Sequence, residues 1–348
     1  MKNRYAILQL PSVNRVYNAA SGQLVLGELQ SFNASVLRNR VTDIQSTQIG
    51  GVAYLTFTCD ALSTNDVAFI ANQSFVYAMF KIMGSGDSLS LIPITLNTLN
   101  RYDSDLLTIL KFAGKTNEHF TRMLLNVTLM ASAFADQMHT SRLTVFDPLC
   151  GRGTTLNQAL MYGYNAAGIE MDQNDYDAYN IFINRWLKDK RLKHRSEDIE
   201  LRKDRQQQAR RLSIQLAHDK TTYKSGDVQS LEFVQADTLQ ARTFFKAGFC
   251  QLIVTDLPYG IKHGARSSQG LAKSPLQLLE QALPVWTRLL CKGGAIGIAW
   301  NTHLAGKADI IDLLKSVGME VFSPTADDQF LHRVDQAILR DIIVATRP

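Results

Sequence analysis

A chain of 348 residues, 45% hydrophobic and 20% charged, has room for one large domain or two ordinary ones and is too apolar to be disordered. Its formal charge of +5 and pI near 8.9 admit a nucleic-acid partner without requiring one. Cys59, Cys150, Cys250 and Cys291 stand far apart with no C-x-x-C pair, which speaks against a zinc cage or a disulfide framework; no metal is expected. The apolar run at the N-terminus is too short for a signal peptide and no stretch is long enough to span a bilayer, so a reducing, cytoplasmic location is expected.

In chain order, Tyr5 to Leu10 reads as a strand and Asn14 to Phe32 as a helix with apolar spacing at Val16, Ala20 and Leu24. Val41 to Thr47 and Val52 to Thr58 read as strands either side of the turn signal Gly50-Gly51. Asn65 to Ala71 then looks helical, and Phe75 to Met83 looks like another strand. The sum is β-α-β-β-α-β over residues 1–100, the order of a ferredoxin-like α+β domain that could position substrate or bind RNA. Gly84 to Leu110, with GSGDS and one proline, suits a linker. Beyond Thr116, Phe120, Met123, Leu124, Val127 and Met130 fall on one helical face.

The second half alternates short apolar strands with helices, which predicts a doubly wound, mostly parallel seven-stranded sheet of the Rossmann-like α/β class. The strands are expected at 143–146, 166–169, 233–236, 252–255, 295–300, 319–322 and 338–345. Ligands of such sheets bind beyond the carboxyl ends of the strands, so the residues that end each strand carry the information.

The first strand ends in Asp147-Pro148-Leu149-Cys150-Gly151-Arg152-Gly153-Thr154-Thr155. Gly151 and Gly153 permit a tight turn and close approach to a ligand. The Gly-Lys-Ser/Thr ending of a phosphate loop is absent, and Leu156 stands where a dinucleotide loop wants its third glycine. A carboxylate at this strand end would repel pyrophosphate but attract the ammonium and sulfonium of S-adenosylmethionine. The next strand ends in Glu170, placed to accept from ribose hydroxyls, with Met171 after it. The third ends in Asp237, an acceptor for an adenine amino group. Three acids beside a glycine-rich loop form a cradle for an adenosine ligand without phosphate.

The fourth strand ends in Asp256-Leu257-Pro258-Tyr259. An exocyclic amine of a nucleobase is a poor nucleophile because its lone pair is delocalised into the ring. Acceptors at its two N–H groups, the Asp256 carboxylate and the Leu257 carbonyl, would aim that pair at a methyl group. Pro258 restricts the backbone at this point, and Tyr259 offers a face to an extruded base.

These residues resemble the amino-methyltransferase branch of class I S-adenosylmethionine-dependent enzymes, whose signature at this strand is Asp/Asn-Pro-Pro-Tyr/Phe. The stretch VFDPLCGRGTTLNQALMYGYNAAGIEMD is similar to the first motif of the tRNA guanosine-N2 methyltransferases, some of which carry THUMP domains, and GKTNEHFTRMLLNV resembles the helix before it. The resemblance spans residues 105–348 and implies an enzyme that methylates guanosine N2 in tRNA. It further implies that Thr116 and Asn117, with Lys115 adding charge, lie near the methionine carboxylate of the cofactor. Leu257 departs from the family's usual proline, and no THUMP sequence is evident at the N-terminus.

Between Arg185 and Lys224 stand thirteen Lys/Arg against six Asp/Glu, a surplus larger than that of the whole chain. Lys190, Arg191, Lys193 and Arg195 read as a basic arm that tracks phosphates; a solvated charged insertion explains the same composition. His263 could contact substrate, although a loop histidine is usually surface, while His119 reads as a packing or solvent residue, Trp300 as a packing residue and Cys150 as a small loop residue. Pro284 is expected to kink or split its helix. A DNA adenine-N6 or cytosine-N4 methyltransferase, a glutamine-amide methyltransferase and a silent cofactor-binding partner of RNA are the alternative readings.

Overall fold

The computed structural model describes residues 2–10, 15–110, 112, 114–203, 206–259, 274–324 and 328–348; the side chains of 15–21, 202, 203 and 206–208 are not among those described. The N-terminal part runs β1 (Asn3–Gln9), α1 (Arg15–Ala34), β2 (Thr42–Ile49), β3 (Val52–Cys59), α2 (Thr64–Ala71), β4 (Val76–Met83) and β5 (Ser90–Ile94). Its sheet has the order β2-β3-β1-β4-β5, antiparallel throughout. The first four strands therefore adopt the β-α-β-β-α-β topology read from the sequence. Alternation explains the buried face: Tyr5, Ile7, Leu55 and Phe57 point at Leu24, Leu29, Phe32, Phe69 and Ile70 from the two helices. Gly50 and Gly51 both have positive φ (59° and 79°), as the tight β2–β3 turn requires.

The expected linker is more structured than its composition suggests. Leu91, Ile92 and Ile94 make β5 a fifth strand, and its Pro93 is tolerated because the strand lies at the sheet edge.

The remainder runs α3 (Asp105–Thr108), α4 (Glu118–Ala131), β6 (Thr144–Asp147), α5 (Thr154–Met161), β7 (Asn165–Glu170), α6 (Gln173–Asp189), β8 (Lys193–Lys203), β9 (Gln206–Ala217), α7 (Lys220–Lys224) and β10 (Gln229–Gln235). It continues through α8 (Ala241–Phe244), β11 (Cys250–Asp256), α9 (Pro275–Leu289), β12 (Leu290–Asn301), α10 (Lys307–Ser316), β13 (Glu320–Phe322), β14 (His332–Arg333) and β15 (Leu339–Thr346). The second sheet has the order β13-β15-β12-β11-β6-β7-β10-β9-β8, with β14 on β15.

The expected mostly parallel seven-stranded sheet is thus corrected to ten strands in a mixed sheet. Only the centre, from β12 through β11, β6 and β7 to β10, is parallel. The difference arises chiefly from the basic segment, which folds as the hairpin β8–β9 and extends the sheet at one edge. Leu212, Ile214 and Leu216 recur with period two and are buried, so the pattern was a strand pattern beneath the charge. Pro284 does not split its helix; α9 runs through it.

Strand order reverses between β6 and β11, and the crevice beyond their carboxyl ends is where such sheets hold ligands. One apolar cluster extends from Tyr5 to Val344, so the two sheets share buried packing. At its centre Glu28 of α1, fully buried, accepts from the Ser74 backbone N–H (2.9 Å), the Ser74 hydroxyl and Asn126 Nδ2 of α4 (2.7 Å). Burial raises the Glu28 pKa against the lowering effect of these bonds. The network fixes the first helix against α4, the helix that leads into this crevice.

Candidate active site

Asp147 ends β6 and is 3% exposed. Burial pushes its pKa up to about 7, against the lowering effect of its polar neighbours, of which the Leu149 N–H donates to its Oδ1 at 3.1 Å. The loop that follows turns through Gly151 and Gly153, at φ 51° and 76°; a Cβ on Gly153 would stand 2.3 Å from the Tyr179 ring. That loop closes on β7, because Cys150 N–H donates to the Ile169 carbonyl at 3.0 Å. Cys150 Sγ points at the same carbonyl, and burial holds the thiol well above its ordinary range. Pro148 is buried and Thr154 opens α5.

Glu170, at the end of β7, accepts from Gly151 N–H at 2.9 Å and from Asp172 N–H at 2.8 Å, and burial raises its pKa. Each carboxylate oxygen keeps a lone pair for a hydroxyl. Met171 beside it is 68% exposed. Asp237 lies just past β10 and caps the turn after it, accepting from Leu239 N–H at 2.9 Å. Thus Asp147, the glycine loop, Glu170 and Asp237 line the ends of three adjacent strands.

Asp256 ends β11, next to β6. Its Oδ2 accepts from the Thr116 hydroxyl at 2.9 Å and lies 3.4 Å from Arg340 Nη2; its Oδ1 accepts from the Tyr259 hydroxyl. Leu257 is buried and its N–H donates to the Ala299 carbonyl at 2.8 Å, while Pro258 is exposed. The Arg340 guanidinium lies 4.2 Å from the Phe120 ring centroid and 5.1 Å from that of Tyr259. Burial and the neighbouring carboxylate hold the Tyr259 phenol far above its usual range.

Thr116, read beside the cofactor's methionine end, therefore spends its hydroxyl on Asp256. Asn117 caps α4 by accepting from His119 and Phe120 N–H, at 2.9 and 3.2 Å, and Lys115 Nζ donates to the Leu107 carbonyl. In the basic segment Lys190 pairs with Asp103 and Asp105, at 2.7 and 2.6 Å, and Arg195 with Glu197. Lys193 lies 5.6 Å from the Tyr223 ring, and Arg191 is exposed. His263 lies outside the described residues. Trp300 is buried, its indole N–H on the Ala305 carbonyl.

Arg340 and the part played by Phe120 escaped the sequence reading. The available signal was an arginine–aspartate pair opening the otherwise apolar strand LRDIIVAT.

The model of the UPF0020 family, described as RMKL-like, methyltransferase domain, matches residues 125–305, just over half the chain. The chain belongs to this family. Its methyltransferase domain holds the acid–glycine loop and Asp256 together, and S-adenosylmethionine is its cofactor. No curated protein matches the chain significantly by sequence. Among solved structures, the chain is similar to a TehB-like SAM-dependent methyltransferase from Corynebacterium glutamicum, at 15% identity over 62% of this chain and 85% of that one, with a TM-score of 0.35. It is also similar to the PH0226 protein from Pyrococcus horikoshii, at 12% identity over 71% and 97% of the two chains, with a TM-score of 0.38. The geranyl diphosphate C-methyltransferase of Streptomyces coelicolor aligns at 12% identity over 72% and 95%, with a TM-score of 0.36.

The donor set fits the cofactor. A buried acid poised near neutrality favours a cationic ligand, and Glu170 and Asp237 are acceptors suited to hydroxyl and amino groups. No helix among the described residues is long and apolar enough to cross a membrane.

Proposed function

We propose that this methyltransferase acts on the exocyclic amine of a nucleobase, and that the nucleobase is guanine, methylated at N2 in tRNA. The observation that carries the reading is Asp256, which ends the strand beside Asp147 with Leu257-Pro258-Tyr259 directly after it. The family resemblance of the two motifs supports guanosine, and the basic segment supports RNA.

S-adenosylmethionine supplies an electrophilic methyl group when bound; the chain supplies acceptors, orientation and shelter from water. Oδ2 of Asp256 is already engaged by Thr116 and Arg340, whereas Oδ1 carries one hydrogen bond, from Tyr259. Oδ1 therefore has a lone pair left to accept an amine N–H and to take up the proton released as nitrogen is alkylated. The Leu257 carbonyl, held by a backbone anchored on Ala299, is the second acceptor. Arg340 covers one face of the Tyr259 ring, so the base stacks on the other.

The test is incubation of the purified protein with methyl-labelled cofactor and three acceptors: unmodified tRNA transcripts, adenine- and cytosine-bearing DNA, and glutamine-bearing protein. Label recovered as N2-methylguanosine is the expected result. Label confined to DNA overturns the RNA assignment, and label confined to protein overturns the nucleobase.

A further inference from the structure

Arg340 is 5% exposed, is the second residue of β15, opposite Asn301 of β12, and lies 84 residues from Asp256 in sequence. Three of its relationships converge on the amine-accepting segment. Its Nη2 lies 3.4 Å from Asp256 Oδ2. Its guanidinium lies over the rings of both Phe120 and Tyr259, at 4.2 and 5.1 Å from their centroids. Its Nε is buried and has no hydrogen-bond partner among the described residues. A buried donor left unbonded is costly, and a fold that needed only a filled slot would be better served there by an apolar side chain.

We propose that Arg340 is a positioning residue for methyl transfer. It acts through two neighbours at once, turning the Asp256 carboxylate so that Oδ1 faces outward and setting the plane of the Tyr259 ring on which the base stacks. Both tasks require a flat cation. An ammonium at the same place pairs with the carboxylate but presents no plane to the two rings. The inference rests on the amine-transfer reading for its consequence in turnover; its geometric content concerns the free protein.

The experiment replaces Arg340 with Ala and with Lys and adds millimolar guanidinium to each. One readout is kcat and KM with unmodified tRNA transcripts. The other is the 19F resonance of Tyr259 in fluorotyrosine-labelled protein, assigned with Tyr259→Phe. Arg340→Ala is expected to lose kcat at least tenfold with adenosylhomocysteine binding intact, and to shift the Tyr259 resonance. Guanidinium, but not ammonium, should reverse both effects, and Arg340→Lys should restore neither. Wild-type kcat in Arg340→Ala, or full recovery in Arg340→Lys, overturns the proposal.

If Arg340→Ala does not fold, Arg340→Lys carries the test alone, with lost turnover and retained adenosylhomocysteine binding expected. If the wild-type protein methylates no tRNA, the function reading falls and the 19F signal decides this one. A shift that guanidinium reverses supports it, and an unmoved Tyr259 resonance overturns it.

Discussion

The Thr116 hydroxyl donates to Asp256 Oδ2 across 2.9 Å, joining the segment before α4 to the end of β11. The contact gives the residues before α4 a task in orienting the carboxylate that we propose accepts the amine. Thr116→Val keeps the shape and removes the donor. A hydrogen bond to a charged group is worth about 1.5–3 kcal/mol, less where solvent reaches the pair, so kcat should fall about tenfold. Cofactor affinity, followed by calorimetry, should stay within twofold; a large loss of affinity at unchanged kcat would return Thr116 to the cofactor.

With Asp147 in the cofactor site, as we propose, cofactor binding is coupled to protons. Burial raises its folded-state pKa to about 7, above that of an unfolded aspartate near 3.9. Its contribution to stability is therefore whole below the unfolded value and is lost as pH rises through about 7. A cationic ligand reverses the preference, so binding of S-adenosylmethionine at pH 6 should release protons. The release appears as a binding heat that changes with the ionisation enthalpy of the buffer. Glu170 is also raised by burial, so Asp147→Asn is the control. It should abolish most of the release, and a release of undiminished size would remove Asp147 from the cofactor site.

Glu28 holds α1 against α4 through Ser74 and Asn126. Removal of the carboxylate leaves buried donors unpaired, so Glu28→Ala should cost about 2–4 kcal/mol in urea unfolding. Glu28→Gln, which keeps one acceptor, should fall between it and the wild type. An unchanged unfolding midpoint in Glu28→Ala would show that apolar packing alone joins the two sheets.

What the sequence made legible was local. Asp147, Glu170 and Asp256 each end a short apolar strand, Asp237 lies two residues past another, and the glycines after Asp147 mark a turn whose backbone conformation few other residues adopt. Such features lie within a few residues of their own signal.

Arg340 was not legible in this way, because its partners Asp256, Tyr259 and Phe120 become neighbours only when β15 pairs with β12. The hairpin at 193–217 was hidden differently. Its dense charge is the pattern of a phosphate-binding arm, while the period-two apolar residues Leu212, Ile214 and Leu216, which set the sheet register, are few and lie between the charges. In the fold several of those cations meet acids: Arg210 pairs with Asp177 and Asp198, and Arg211 with Glu232. Residues around 84–110 read as a linker because β5 carries only five residues, too few for periodicity to show.

We propose that Asp256 directs a methyl group to a base amine in RNA. The most direct test is nucleoside mass spectrometry of tRNA, rRNA and DNA from cells lacking the gene, complemented with the wild-type protein or with Asp256→Ala shown to bind adenosylhomocysteine. N2-methylguanosine is expected to disappear from tRNA in the deletion strain, to return with the wild-type protein and not to return with the variant. Full restoration by Asp256→Ala, or an unchanged set of methylated nucleosides in the deletion strain, would contradict it.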